Sequence, residues 1–265
     1  MRPMWMLPLL ALLLTTDIPA QTVAPSQTAA SDPQAAAIAQ QAMLVLTGGT
    51  GIADVTLIGT AQWTAGSLNT SGPITLKARG AGQSRVDLSL NGGSRREIRD
   101  ASAGRPVCSW VDASGASHTS ALHNCMTDAA WFFPALTSLS GGPNVVLSYV
   151  GQESRGGVSV HHLRSYVSHD SQDPVLWATI QELSSMDFYL DSSSLLPVAL
   201  AFNLHPDTDS NTRLPVEIHF SNYQRINGIN VPLHIQKYWN GGLTLDISIS
   251  SVAVNTGLTA SAFAN

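Results

Sequence analysis

The sequence has few charged residues and only two cysteines. Asp, Glu, Lys and Arg make up 12% of its 265 residues, about half of the usual share near 25%. The formal net charge is −5 at pH 7, which disfavours nucleic acid and anionic membrane surfaces as partners, because both attract clustered positive charge. Beyond the first residues, no apolar run approaches the ~20 residues of a transmembrane helix. We therefore expect no nucleic-acid partner and no transmembrane segment.

The motifs of common enzyme and metal sites are also missing. There is no phosphate-binding G-x-x-x-x-G-K loop, no dinucleotide fingerprint, no H-E-x-x-H and no compact Cys/His spacing. The segment 157–161 begins like a G-x-S-x-G nucleophile elbow, but His161 stands where the second glycine should be. We expect no catalytic residue, no metal and no cofactor. A hydrolase with a non-standard site would require histidines close to a carboxylate or a serine.

The first twenty residues have the pattern of a secretory signal peptide. A positive start at Arg2 is followed by an apolar run over 4–14 and by the small-residue exit Ile18-Pro19-Ala20. Cleavage after Ala20 would remove Arg2 and Asp17, one charge of each sign, and leave −5. No cysteine stands at the cleavage point, so no lipid anchor is expected there. The sequence predicts a periplasmic or secreted protein, with a flexible leader over 21–31.

The two cysteines, Cys108 and Cys125, are expected to form a disulfide in an oxidising compartment. A crosslink over a loop of this size stabilises the fold by about 3 kcal/mol in the chain-entropy model. The alternative is a reactive thiol near His123.

The clearest strand pattern lies between residues 186 and 252. Apolar and polar residues alternate over 216–221, over 231–236 and over 243–250, and the turns Asn227-Gly228 and Asn240-Gly241 separate these runs. Three amphipathic strands joined by tight turns predict an antiparallel meander with one apolar face.

This region also carries a family resemblance. The phrase F-Y-L-D-x-x-S-x-L-P at 188–197 and the phrase F-S-N-Y-Q-R-I-N-G-I-N-V-P at 220–232 resemble the C-terminal half of the bacterial outer-membrane lipoprotein carrier and sorting superfamily. The resemblance covers about residues 187–252. It implies an α+β fold in which two or three helices cover the concave face of a strongly curved antiparallel sheet, an unclosed barrel. It also implies that the protein binds a lipid or a lipoprotein acyl chain in that hollow. We expect the protein to be a monomer.

Local signals place helices before and after the strands. Asp32-Pro33 and Gly48-Gly49 bound a predicted helix from Pro33 to about Thr47, and Asp173-Pro174 starts a second that ends near Ser185. A third helix is predicted within 124–141, with three candidate lid residues, Trp131, Phe132 and Leu136. These aromatic and apolar residues either plug the sheet or contact a bound acyl chain. One domain is expected over 32–254, followed by a small polar tail at 255–265.

The resemblance suggests which residues would line an apolar cavity. The alternative is that these residues simply form an ordinary core, in which case the chain would be a structural or interaction module of the cell envelope. The candidates are Trp63, Val216, Ile218, Phe220, Leu233, Ile235, Leu245, Ile247 and Ile249.

One short segment is unusually charged. Residues 95–100 carry five charges, among them Arg95, Arg96 and Arg99. They predict either a contact with an anion or a lipid headgroup, or an exposed edge strand protected by charge.

Overall fold

The computed structural model describes residues 29–101, 105–142, 144–169 and 173–264. The predicted signal peptide and most of the leader, residues 1–28, lie outside the described residues. Two α-helices are present in these ranges, α1 (Pro33–Thr47) and α2 (Pro174–Ser184). The strands β1 to β13 are Asp54–Ala65, Leu68–Arg79, Gln83–Leu90, Gly93–Asp100, Val107–Val111, Ser117–Thr119, Val145–Arg155, Val158–Val167, Met186–Asp191, Pro197–Leu204, Leu214–Ile226, Ile229–Trp239 and Gly242–Val254.

All thirteen strands form one antiparallel sheet. The spatial order is β6-β5-β4-β3-β2-β1-β13-β12-β11-β10-β9-β8-β7. Two meanders, β1–β6 and β7–β13, are therefore joined by the pairing of β1 with β13, and β6 and β7 remain as the two edges. The sheet is curved and does not close, so the predicted α+β fold class is confirmed.

Helix α1 has the predicted bounds because both of its ends are capped. The carboxylate of Asp32 accepts hydrogen bonds from the backbone N–H groups of Gln34 and Ala35, at 2.7 and 3.2 Å. Gly48 ends the helix in the left-handed conformation, at φ 60°. The buried face of α1 carries mainly alanines, which lets the helix lie close to the sheet. Asn230 at the start of β12 donates to the backbone oxygen of Val45 at 2.8 Å and fixes α1 across one end of the concave face.

The connection between β6 and β7 fills the middle of the concave face without forming an α-helix. The prediction of a helix within 124–141 is wrong, since this segment has no α-helix. It contains 3₁₀ turns at Leu122–Cys125, Pro134–Leu136 and Ser138–Ser140. Trp131, Phe132 and Phe133 are consecutive and all at most 1% exposed. A helix lying on a sheet would turn one of three successive residues away from it, and Pro134 also lacks the N–H that a helix interior needs.

Strand β4 lies inside the sheet. It pairs with β3 on one side and with β5 on the other, so the prediction of an exposed edge strand for residues 95–100 is wrong. Cys108 on β5 forms the predicted disulfide with Cys125, with Cα atoms 5.8 Å apart. This crosslink joins β5 to the beginning of the connection that fills the concave face.

The second helix and the predicted tail pack outside the concave core. Trp177 of α2 contacts Tyr166 of β8. Tyr166 is three residues along the strand from the core residue Leu163, so its side chain lies on the face of the sheet opposite to the core. In the predicted tail, Phe263 is only 3% exposed. The carboxylate of Asp54 accepts from the backbone N–H groups of residues 256, 257 and 258 and holds the tail to the start of β1.

Candidate ligand cavity

A cavity of about 840 Å³ lies on the concave side of the sheet. Its wall consists of the last residues of β1 and β12, the first residues of β13, and residues of β3, β4 and β5. Because α1 packs against the start of β12, the cavity lies at the opposite end of that strand. We call the part covered by α1 and by the connection between β6 and β7 the filled end, and the part around the cavity the open end. The lining residues include Trp63, Val86, Leu88, Arg95, Glu97, Trp110, Leu214, Lys237, Trp239, Leu243 and Leu245.

The wall is mainly apolar, and strand register explains how it is assembled. Lys237 on β12 is paired with Leu245 on β13, and Leu245 is paired with Trp63 on β1. The three residues therefore form a row across neighbouring strands on the concave face. Trp110 and Trp239 are 40% and 50% exposed, so two further indole rings border the cavity where solvent reaches it. A cavity of this volume and composition is typical of small-molecule and lipid sites.

Two cations lie within this apolar wall. The guanidinium carbon of Arg95 is 4.2 Å from the centroid of the Trp63 ring, and the Nζ of Lys237 is 4.5 Å from the centroid of the Trp131 ring. Both are cation–π contacts. The carboxylate of Glu97 is 4.0 Å from the Lys237 Nζ. Within the described part of the chain, the buried Nε of Arg95 has no hydrogen-bond partner.

The other arginines of the charged segment are already bound within the protein. Arg96 donates to the carboxylate of Asp87 at 2.8 Å. Burial raises the pKa of Asp87, but hydrogen bonds from Arg85 and Arg96 outweigh it and hold that pKa below its usual value. Arg99 is 5% exposed and donates to the backbone oxygens of Thr127 and Asp128 at 2.7 and 2.8 Å. Of the three arginines in the segment, Arg95 is the one available to a ligand in the cavity.

The residues predicted to line a cavity divide into two groups. Trp63 and Leu245 do line it. Leu233 is half-buried and packs against the core. The remaining six are at most 7% exposed and belong to the core that is continuous with α1 and the connection. They are Val216, Ile218, Phe220, Ile235, Ile247 and Ile249.

The candidate lid residues are core residues in this structure. Trp131, Phe132 and Leu136 are at most 5% exposed, and the Trp131 and Phe132 rings meet edge to face with centroids 5.4 Å apart. Trp131 still reaches the site indirectly, because its ring lies beneath Lys237. The candidates named from sequence did not include the lining residues Trp110, Lys237, Trp239 and Leu243. For Lys237 the signal was available, since it continues the apolar positions 231, 233 and 235 of the same strand face.

A second polar cluster lies on the opposite face of the meander. The Ser221 Oγ is 2.9 Å from the Nδ1 of His234, and the Nε2 of His234 is 2.8 Å from the carboxylate of Asp246. These are residue types of an acyl-transfer triad. However, Ser221 is exposed, and Gln236 also donates to Asp246 at 2.7 Å. None of the three residues lines the cavity, and the arrangement is that of a cross-strand polar ladder.

The described residues contain no group of three or more His, Cys, Asp and Glu side chains that could hold a metal ion. Neither of the two helices in the described ranges is long and apolar enough to cross a membrane.

The curved, unclosed sheet with its concave cavity has the fold of lipoprotein carrier and sorting domains. No protein-family model matches the chain, and no curated protein matches its sequence. Solved structures do match its fold. One is a domain from Vibrio parahaemolyticus described as an outer membrane lipoprotein-sorting protein, 13% identical, with a TM-score of 0.52 over 86% of this chain and 95% of that one. Another is a LolA superfamily protein from Nitrosomonas europaea, 13% identical, with a TM-score of 0.54 over 87% and 97%.

A third match is a DUF1329 family protein from Desulfovibrio piger, 12% identical, with a TM-score of 0.54 over 89% of this chain and 98% of that one. All three extend far beyond residues 187–252, so the sequence resemblance of that region is confirmed and applies to the fold of most of the chain.

Proposed function

We propose that this is an exported protein of the periplasm or the cell exterior that binds a lipidic ligand through its acyl chain at the open end of the concave face. The observation that carries the proposal is the cavity of about 840 Å³ with its tryptophan and leucine wall. Each Å² of acyl surface that this wall removes from water contributes roughly 25 cal/mol to binding. The similarity to domains described as lipoprotein-sorting proteins supports the same proposal.

The alternative is a structural or interaction module of the cell envelope without a ligand. It would fit a concave face that is filled throughout, as the filled end is. The apolar lining residues at the open end favour the carrier instead. We assign no catalytic role to the protein. The hydrogen-bonded side chains of Ser221, His234 and Asp246 form a polar surface on the outer face of the sheet.

Native mass spectrometry of the exported protein, followed by organic extraction, tests the proposal. We expect a co-purifying lipid mass, or a mass increase when the delipidated protein is incubated with a lipid mixture. A cavity-filling variant, Leu243→Trp, should reduce this lipid occupancy. The matched control is Val150→Trp, at a 51% exposed apolar position on the edge strand β7, and it should retain the lipid. An unchanged apo mass after incubation would support the module.

A further inference from the structure

We infer that the ligand is an anionic amphiphile, whose carboxylate or phosphate group binds between Arg95 and Lys237 while its acyl chain lies against the tryptophan and leucine wall. This inference rests on the proposed function, because it names the class of lipid that the same cavity takes.

The charge of the cavity is opposite in sign to that of the chain. The whole chain carries a formal charge of −5. In the cavity, Arg95 and Lys237 contribute two positive charges and Glu97 one negative charge, while Arg96 is paired with Asp87. The cavity is therefore positive by one charge. A cation without a full partner is costly in an apolar wall, and in a low dielectric it attracts an anion strongly.

Arg95 is the more specific of the two contacts. A guanidinium group has five N–H donors in a fixed planar arrangement that fits a carboxylate or a phosphate. The Trp63 ring contacts the guanidinium group of Arg95 from one side. The buried Nε has no acceptor among the described residues, although nearly all buried donors in proteins find one. An anionic oxygen of a ligand that reaches the guanidinium group from the cavity forms a charge-assisted hydrogen bond with its N–H donors.

Lys237 provides the second positive charge for the anionic group. On the concave face, Leu245 lies between Lys237 and Trp63. Its side chain is 16% exposed, and its separation of 4.0 Å from Glu97 is at the outer limit of an ion pair. Lys237 and Trp63 are two strands apart, which separates their backbones by about 10 Å. Both cations line the same cavity as Leu245. An anionic headgroup can bind at this point with its chain directed along the apolar wall.

Calorimetric titration of the delipidated protein with three probes tests the inference. Dodecanoate and dodecyl maltoside have the same chain length, but only dodecanoate carries a negative charge, and inorganic phosphate is an anion without a chain. At neutral pH and low salt we expect dodecanoate to bind at least about tenfold more tightly than dodecyl maltoside, given the strength of a hydrogen bond between charged groups. Inorganic phosphate should bind much more weakly than dodecanoate.

Variants assign this preference to the two cations. Arg95→Gln and Lys237→Gln should each lower dodecanoate affinity several-fold and lower dodecyl maltoside affinity much less. Binding of dodecyl maltoside then also shows that the variants are folded. Arg95→Lys should restore part of the preference, because it keeps the charge but loses the planar donor arrangement. Arg225→Gln, at an exposed arginine on β11 outside the cavity, is the matched control and should change neither affinity.

The possible results separate the two proposals. Equal affinities for dodecanoate and dodecyl maltoside would overturn the anionic headgroup and leave acyl-chain binding intact. Binding of inorganic phosphate as tight as that of dodecanoate would mean that the site takes a free anion and would overturn the amphiphile. Binding of neither amphiphile would overturn the proposed function together with the inference.

Discussion

The filled end and the open end of the concave face are built from the same strands but covered differently. On β12, Val231 and Ile235 are fully buried at the filled end, whereas Lys237 and Trp239 border the cavity at the other end. On β13, Ile247 is fully buried, whereas Leu245 is only half-buried. Strand pattern determines which side chains face inward. The extent of α1 and of the connection determines which of them meet protein and which remain accessible to a ligand.

The side chains of the two ends match this difference. The filled end receives alanines from α1 and an aromatic cluster from the connection, so it is packed like an ordinary core. The open end presents large rings with polar edges and two cations. Tryptophan and arginine are residues that proteins use where a surface must be both apolar and able to bind a polar group.

The largest expected difference between the two ends is the loss of unfolding free energy when a large side chain is replaced by alanine. Phe132→Ala at the filled end should lower the free energy of unfolding by about 3–5 kcal/mol, because Phe132 is 0% exposed and its removal leaves a void. Leu243→Ala at the open end should lower it by only about 1 kcal/mol, because Leu243 is half-buried and already borders space. Urea unfolding measures both values. Similar losses at the two positions would mean that the open end is packed like the filled end.

The filled end could be predicted largely from sequence, because local signals specify it. Asp32-Pro33 and Gly48 bound α1, and alternation with Asn-Gly turns specifies the meander. The connection could not be predicted in this way, since three successive buried aromatics have neither the helix period nor the strand period. Its path depends on which part of the sheet it must cover.

The open end could be predicted only in part. Alternation places Trp63 and Leu245 on the concave face, but it assigns Ile235 and Ile247 to the same face with equal strength. Nothing local shows where α1 and the connection stop covering that face. The role of Arg95 depends on β4 being an interior strand and on Arg96 and Arg99 having partners elsewhere, and both facts come from pairing between distant segments.

A pair of glycines offers a sharper comparison of the two ends. Gly48 and Gly66 have nearly the same left-handed φ, 60° and 59°. A Cβ at Gly48 would lie 2.6 Å from the backbone oxygen of Gly228, whereas a Cβ at Gly66, beside the cavity, would meet nothing within 4 Å. Gly66→Ala should therefore lower the free energy of unfolding by about 1 kcal/mol, because alanine is strained in the left-handed conformation. Gly48→Ala should cost clearly more, because α1 must also move away from the β11–β12 turn.

Thermal unfolding of the two glycine variants, followed by circular dichroism, measures this difference. Equal shifts of the midpoint would show that α1 is not held tightly against the sheet. A second readout is binding of dodecyl maltoside, which Gly48→Ala should leave unchanged, since α1 is remote from the cavity.

The smallest expected effect concerns the tail at the start of β1. Burial raises the pKa of Asp54, but hydrogen bonds from Thr256, Gly257 and Leu258 outweigh it, so the pKa lies below its ordinary value of 3.8. A carboxyl group with a lowered pKa in the folded state stabilises the fold above its unfolded pKa, and this contribution is lost as the pH falls through the folded pKa. Asp54→Asn should therefore cost about 1 kcal/mol at neutral pH.

The difference in unfolding free energy between wild type and Asp54→Asn should stay constant above about pH 4 and shrink on further acidification. Urea unfolding over a pH series measures it. A difference that persisted at the lowest pH would mean that the carboxylate charge does not hold the tail. Ligand binding should be the same in both proteins at neutral pH, because Asp54 begins β1 at the filled end and Trp63 meets the cavity near the other end of that strand.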